Sequence, residues 1–168
     1  MSEKEHLDEP MFFSSYLHAL DAQCRVTLPS EWRRQGAEMS FVLMPARDRA
    51  LVLLPRPVFA EFVSRTRKLA IANPKIQMAF ARIGEMVRSC HCDKQGRMAL
   101  DREMLDRIGV GQSVRMIGAL NHIRLVAPDH WKNGVMEHLD DDLEEIRKVS
   151  EDAGDLAALL GGLLGKNE

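Results

Sequence analysis

Two short stretches of this 168-residue chain place an acid and a base at the same spacing. Asp21 precedes Arg25 by four residues, and Asp93 precedes Arg97 by four, the two aspartates standing 72 positions apart. Each arginine is followed by a hydrophobic residue, one further residue and a leucine, "RVTL" and "RMAL". An aspartate at the start of a turn accepts hydrogen bonds from the amides two or more residues on. It can also hold a guanidinium, whose remaining donors suit phosphate. Two roles are therefore open for Arg25 and Arg97: phosphate contacts, or structural partners of their own aspartates. The roles are compatible, and the aspartates read mainly as structural. In the second copy the turn "DKQG" supplies Gly96 for a position of positive φ.

Other chemistry finds less support. "CHC" at 90–92, with Cys24 and His18 elsewhere, raises the question of zinc. A structural zinc site shows two well-spaced ligand pairs, whereas a strand would turn Cys90 and Cys92 to one face and His91 to the other. No metal and no other cofactor is expected. The "DDDLEE" run at 140–145 reads as a solvated acidic helix face. No nucleophile, base and orienting group stand in a recognised spacing, and no Gly-rich phosphate loop precedes a helix, so no catalysis is expected.

The elements around the two motifs repeat. An extended run, "FFSSYLHALD" or "EMVRSCHCD", leads into each turn, and "RVTL" or "RMAL" leads out, as in a β-hairpin. Ser30 then caps a short helix "EWRRQ" ended by Gly36, and Asp101 caps "REMLDRI" ended by Gly109. Two apolar runs follow in each copy, "FVLMP" with "ALVLLP" and "SVRMIG" with "IRLVAP", spaced as second hairpins. Pro57 opens a helix over about 57–72 whose buried stripe would be Val58, Phe59, Phe62, Val63 and Leu69. A second helix runs over about 75–83. Asp129 is placed to cap a helix bearing a seam of Met136, Leu139, Leu143 and Ile146. A hairpin and a short helix cannot close a core alone, but two copies can complete one another about a pseudo-twofold axis. The division that results is an N-terminal extension 1–10, a first repeat with its helix 11–72, a connecting helix 73–83, a second repeat with its helix 84–140, and an acidic, leucine-rich helical tail 141–168.

Composition is compatible with this. Hydrophobic residues make up 45% and aromatic ones 5%, which is core material built from aliphatic side chains. No run approaches the length needed to cross a bilayer, and the first residues lack the pattern of a signal peptide. Three cysteines do not make a disulfide framework. These features predict a cytosolic protein. The net charge of −2 conceals an asymmetry: residues 12–97 carry +7 and residues 129–168 carry −7. Such a basic body is compatible with an anionic partner and equally with a solvated surface.

"HALDAQCRVTLPSEWRR" (18–34) and "CDKQGRMALDREMLDRIGV" (92–110), extended by "LVLLP", "IRLVAPDHW" and the acidic helical tail, resemble the MraZ family, relatives of AbrB-type regulators. The resemblance covers about 11–150. It implies an α+β fold of two tandem AbrB-like swapped-hairpin barrel repeats with peripheral helices. It also implies ring-like homo-oligomers larger than a dimer, a cytoplasmic and nucleoid location, and binding of double-stranded DNA. Function would be repression of the division and cell-wall gene cluster through tandem short repeats in its promoter. By position, the DNA-binding residues would be Arg25, Arg97, Lys94, Gln95, Gln23 and Arg33, with Asp21, Asp93 and Gly96 shaping the turns. The first turn departs from the family, which usually has a basic residue and then Gly where this chain has Gln23 and Cys24. The rival reading is an antitoxin-like interaction module of AbrB fold whose tail binds a protein.

Overall fold

The computed structural model describes residues 10–131 and 137–149, in two units separated after Trp131. The larger unit contains all eight strands of a single antiparallel sheet: β1 Ser15–Ala19, β2 Arg25–Thr27, β3 Met39–Ala46, β4 Ala50–Pro55, β5 Arg88–Cys92, β6 Arg97–Ala99, β7 Ser113–Gly118 and β8 Ile123–Val126. Its helices are α1 Arg56–Ala72, α2 Pro74–Met86 and α3 Arg102–Arg107. Among the described residues the smaller unit contains α4, Leu139–Val149. The expected N-terminal extension up to Glu9, Met136 of the expected seam and the leucine-rich tail from residue 150 lie outside the described residues.

The strand order is β1-β7-β8-β4-β3-β5-β6-β2. The two ends of that order, β1 and β2, are consecutive in sequence and touch through the Asp21 turn, so the sheet curls into a nearly closed barrel. The fold is thus α+β. All eight runs expected from the sequence form strands, and the second hairpin of each copy forms as expected, β3 with β4 and β7 with β8, but the first hairpin of each copy does not close on itself. β1 lies against β7 over five residues, and β5 against β3 over five. β5 meets β6, its expected hairpin partner, only at Cys92 and Met98. β2 pairs instead with β6, Val26 facing Met98. A three-residue strand on an isolated hairpin would leave its apolar side wet. Pairing across the chain lets Val26 and Met98, each 1% exposed, enter one shared core. That core is built on Phe12, Leu28, Phe41, Leu43, Leu51, Leu53, Leu105, Met116, Ile123 and Leu125.

Three local expectations are corrected. "EWRRQ" makes no α-helix, and Ser30 does not cap one. Ser30–Trp32 is a single 3-10 turn with Pro29 in the capping place and no side-chain cap. Buried Trp32 fixes it instead, donating Nε1–H to the Phe13 carbonyl at 2.8 Å and packing edge-on against Phe12. The stripe of α1 is not buried: Phe62 is 48% and Val63 39% exposed, while Val58 and Phe59 are half-covered. This helix borders the barrel mainly at β3 and β4, and the side chain of Leu69 lies outside the described set. Asp129 sits in a turn closed by His130 N–H donating to the Ala127 carbonyl, and α4 begins only at Leu139. Asp101 does cap α3, accepting from the Met104 amide at 3.0 Å.

Candidate nucleic-acid interface

The two turns are built alike, bond for bond. Asp21 Oδ1 accepts from the amides of Gln23 at 2.9 Å and Arg25 at 2.8 Å, and Oδ2 accepts from Arg25 Nε at 2.7 Å. Asp93 Oδ1 accepts from the amides of Gln95 and Arg97, both at 2.9 Å, and Oδ2 accepts from Arg97 Nε at 3.0 Å. The aspartate amide donates to the arginine carbonyl at 3.0 Å in each turn. Donation from the Arg25 and Arg97 amides, together with the neighbouring guanidinium, lowers both carboxyls from the usual carboxylate value. The charged form of each aspartate is thus the one that holds its turn.

The fifth bond of each turn forces a backbone conformation. Cys24 N–H donates to the Asp21 carbonyl and Gly96 N–H to the Asp93 carbonyl. Both residues then lie at positive φ, +57° for Cys24 and +83° for Gly96. The Gln23-Cys24 departure therefore leaves the turn geometry intact, with the cysteine in a region that disfavours side chains.

Arg25 and Arg97 share one face. In the β2–β6 ribbon Arg25 stands opposite Ala99 and Thr27 opposite Arg97. Val26 and Met98 point into the core, so the arginines point out. Diagonal neighbours of this kind lie roughly 7–8 Å apart. Each arginine is about half-exposed and spends only Nε on its aspartate; among the described residues its η nitrogens make no bond. The two turns flank the ribbon at opposite ends. The first carries exposed Gln23, the second exposed Lys94 and Gln95. Arg33, expected beside them, is there by a different route: its Nη1 donates to the Gln95 carbonyl at 2.7 Å. A two-stranded ribbon is an element that the DNA major groove, about 12 Å wide, can admit.

Arg102 was not legible as part of this site. In sequence it is the first residue of a short helix, 78 positions from Cys24, yet its Nη1 lies 3.8 Å from Cys24 Sγ. Cys90 and Cys92 face inward, and burial pushes both thiols up to about 11. Among the described residues no three His, Cys, Asp or Glu side chains are grouped to hold a metal ion, and no helix is long and apolar enough to cross a membrane.

The fold is thus a nearly closed α+β barrel that displays two half-exposed, Asp-held guanidiniums on the outward face of one ribbon. Several curated transcriptional regulators are similar to this chain over most of its length. Transcriptional regulator MraZ of Corynebacterium jeikeium is 28% identical over 134 residues, covering 78% of this chain and 91% of that protein. The MraZ regulator of Lachnoclostridium phytofermentans is 24% identical over 131 residues, 78% of this chain and 92% of its own length. That of Halothermothrix orenii is 24% identical over 144 residues, 86% and 99%. No protein-family model matches the chain. The likeness to these regulators, over most of the chain and most of their length, supports the MraZ family.

Proposed function

We propose that this protein is a sequence-specific DNA-binding transcriptional regulator. The observation that carries the reading is the pair of Asp-held arginines, Arg25 and Arg97, on the outward face of one ribbon. The names of its relatives support the same reading. In this reading Arg25 and Arg97 contact phosphates or guanine edges, which both accept guanidinium donors. Lys94, Gln95 and Gln23 add donors from the turns, and Arg33 supports the second turn through its bond to the Gln95 carbonyl.

The chain is read as two tandem AbrB-like swapped-hairpin repeats, 11–72 and 84–140, related by a pseudo-twofold axis and joined by 73–83. The crossed pairings β1–β7 and β5–β3, and the matching bonds of the two turns, support this. The acidic stretch 129–168, of net charge −7, would repel phosphate and is read as adding no DNA affinity. One barrel reaches few phosphates, so affinity comes from linking several copies, each later contact being effectively intramolecular. We therefore read the working form as a ring-like homo-oligomer larger than a dimer, in the cytoplasm and on the nucleoid. It would repress the division and cell-wall gene cluster through tandem short repeats in the promoter.

Fluorescence anisotropy on a duplex carrying such repeats, across a salt series, tests the reading. The double variant Arg25→Ala with Arg97→Ala should keep its fold and lose binding. Each single variant should flatten the slope of log affinity against log salt by about one unit for every phosphate that it no longer neutralises. Unchanged affinity and slope in the folded double variant would overturn the DNA-facing assignment. A protein partner co-purifying on the acidic helix, with no DNA retained, would favour an interaction module instead.

A further inference from the structure

We propose that Arg33 and Arg102 are positioning residues, each fixing the DNA-facing turn that belongs to the other half of the chain. The proposal rests on the DNA-binding reading for its purpose, though not for its geometry. Arg33 stands five residues past Leu28, whose amide donates to the Gly96 carbonyl at 2.7 Å. Anchored by neighbouring Trp32, it lays its side chain over the second turn. A Cβ built at Gly96 would lie 2.4 Å from Arg33 Cδ and 2.8 Å from Nε. Arg33 Nε is enclosed there without a hydrogen-bond partner, while Nη1 donates to the Gln95 carbonyl at 2.7 Å. An arginine with its Nε enclosed and an η nitrogen spent on a turn carbonyl holds that turn rather than reaching for phosphate.

Arg102 does the corresponding work on the first turn from another point in the chain. It stands two residues past Leu100, whose amide donates to the Cys24 carbonyl at 2.9 Å. Asp106 orients it, accepting from Nε at 2.8 Å, and it also donates to the carbonyls of Val110 and Gly111. Its contact with the turn is through Cys24 Sγ at 3.8 Å. Thiol sulfur is a weak acceptor, whereas a guanidinium bond to a carbonyl is charge-assisted. Around this contact lies a cavity of about 480 Å³ lined by Asp21, Ala22, Cys24, Arg102 and Gln112 among others. The second turn is thus clamped directly and the first loosely. Lys94 and Gln95 are presented on a fixed frame, and Gln23 on one with room to adjust.

The test pairs amide hydrogen exchange on the free, full-length protein with anisotropy on the tandem-repeat duplex. Arg33→Met keeps the stem and removes the guanidinium. It should speed exchange across residues 93–97, leave 21–25 unchanged, and weaken DNA binding about tenfold, the equivalent of 1.4 kcal/mol, with an unaltered salt slope. Arg102→Met should speed exchange across 21–25 and around 110–111, leave 93–97 unchanged, and weaken binding about threefold. If Arg33→Met does not fold, Arg33→Lys, which keeps the charge but not the fork, should show the same local acceleration. Unchanged exchange at 93–97 in the folded variant would overturn the clamp. A salt slope flattened by about one unit would make Arg33 a phosphate contact instead. Failure of the DNA reading would show separately, as full binding by the Arg25, Arg97 double variant. The exchange result would stand in either case.

Discussion

The turn at Asp21–Arg25 and the turn at Asp93–Arg97 make the same five local bonds, yet they are not equivalent surfaces. The second has glycine at its positive-φ position, a lysine at its tip and a guanidinium lying on its backbone. The first has a cysteine at the same position, no charge at its tip and an open hollow beside it. The comparison teaches that the aspartate–arginine pair is sufficient to shape the turn. The residue at positive φ then decides how closely the rest of the protein can approach it.

The sharpest way to break that comparison is to give the second turn a side chain where the first already has one. Gly96→Ala places a Cβ against Arg33 at φ +83°. It should destabilise the protein by about 2 kcal/mol or more, from the left-handed conformation and the displaced arginine together. Urea unfolding reads this directly, and a loss below about 0.5 kcal/mol would mean that Arg33 moves aside freely.

The next effect comes from the aspartates. Their lowered pKa means that each stabilises the fold at pH above the ordinary carboxylate range. That contribution is lost as pH falls through the lowered native value. Denaturant midpoints of the parent should therefore fall on acidification below about pH 4. Asp21→Asn with Asp93→Asn should begin less stable at neutral pH and show a flatter acid limb. Identical acid limbs would detach the turns from acid stability.

Cys24→Gly converts the first turn to the composition of the second. Relief at φ +57° is opposed by poorer packing and by the greater freedom of glycine in the unfolded chain. The net change should stay within about 1 kcal/mol. A large destabilisation would show that the sulfur contact with Arg102 matters more than its chemistry suggests. The smallest effect concerns reactivity. Cys24 is half-buried, whereas Cys90 and Cys92 are buried with thiols pushed up to about 11. A thiol reagent on the native protein should label Cys24 first, as mass spectrometry of peptides would show.

What the sequence determined by itself is local. The Asp-x-x-x-Arg turn could be read from "DAQCR" and "DKQGR" because every donor and acceptor lies within four residues of the aspartate. The eight strands could be read because each is a short apolar run bounded by turn residues. The α3 cap at Asp101 could be read for the same reason of proximity. The hairpins β3–β4 and β7–β8 could be read as well, whereas the tertiary structure alone decided the neighbours of β1, β2 and β5. β1 reaches β7 nearly a hundred residues on, since only that pairing buries both apolar faces in one core. It alone exposed Phe62 and Val63, because a helix pattern states which residues are apolar and not how much surface is present to cover them. It also brought Arg33 to Gln95, 62 residues away, and Arg102 to Cys24, 78 away. Long-range contacts of this kind follow from closing the barrel, and no spacing within either segment encodes them.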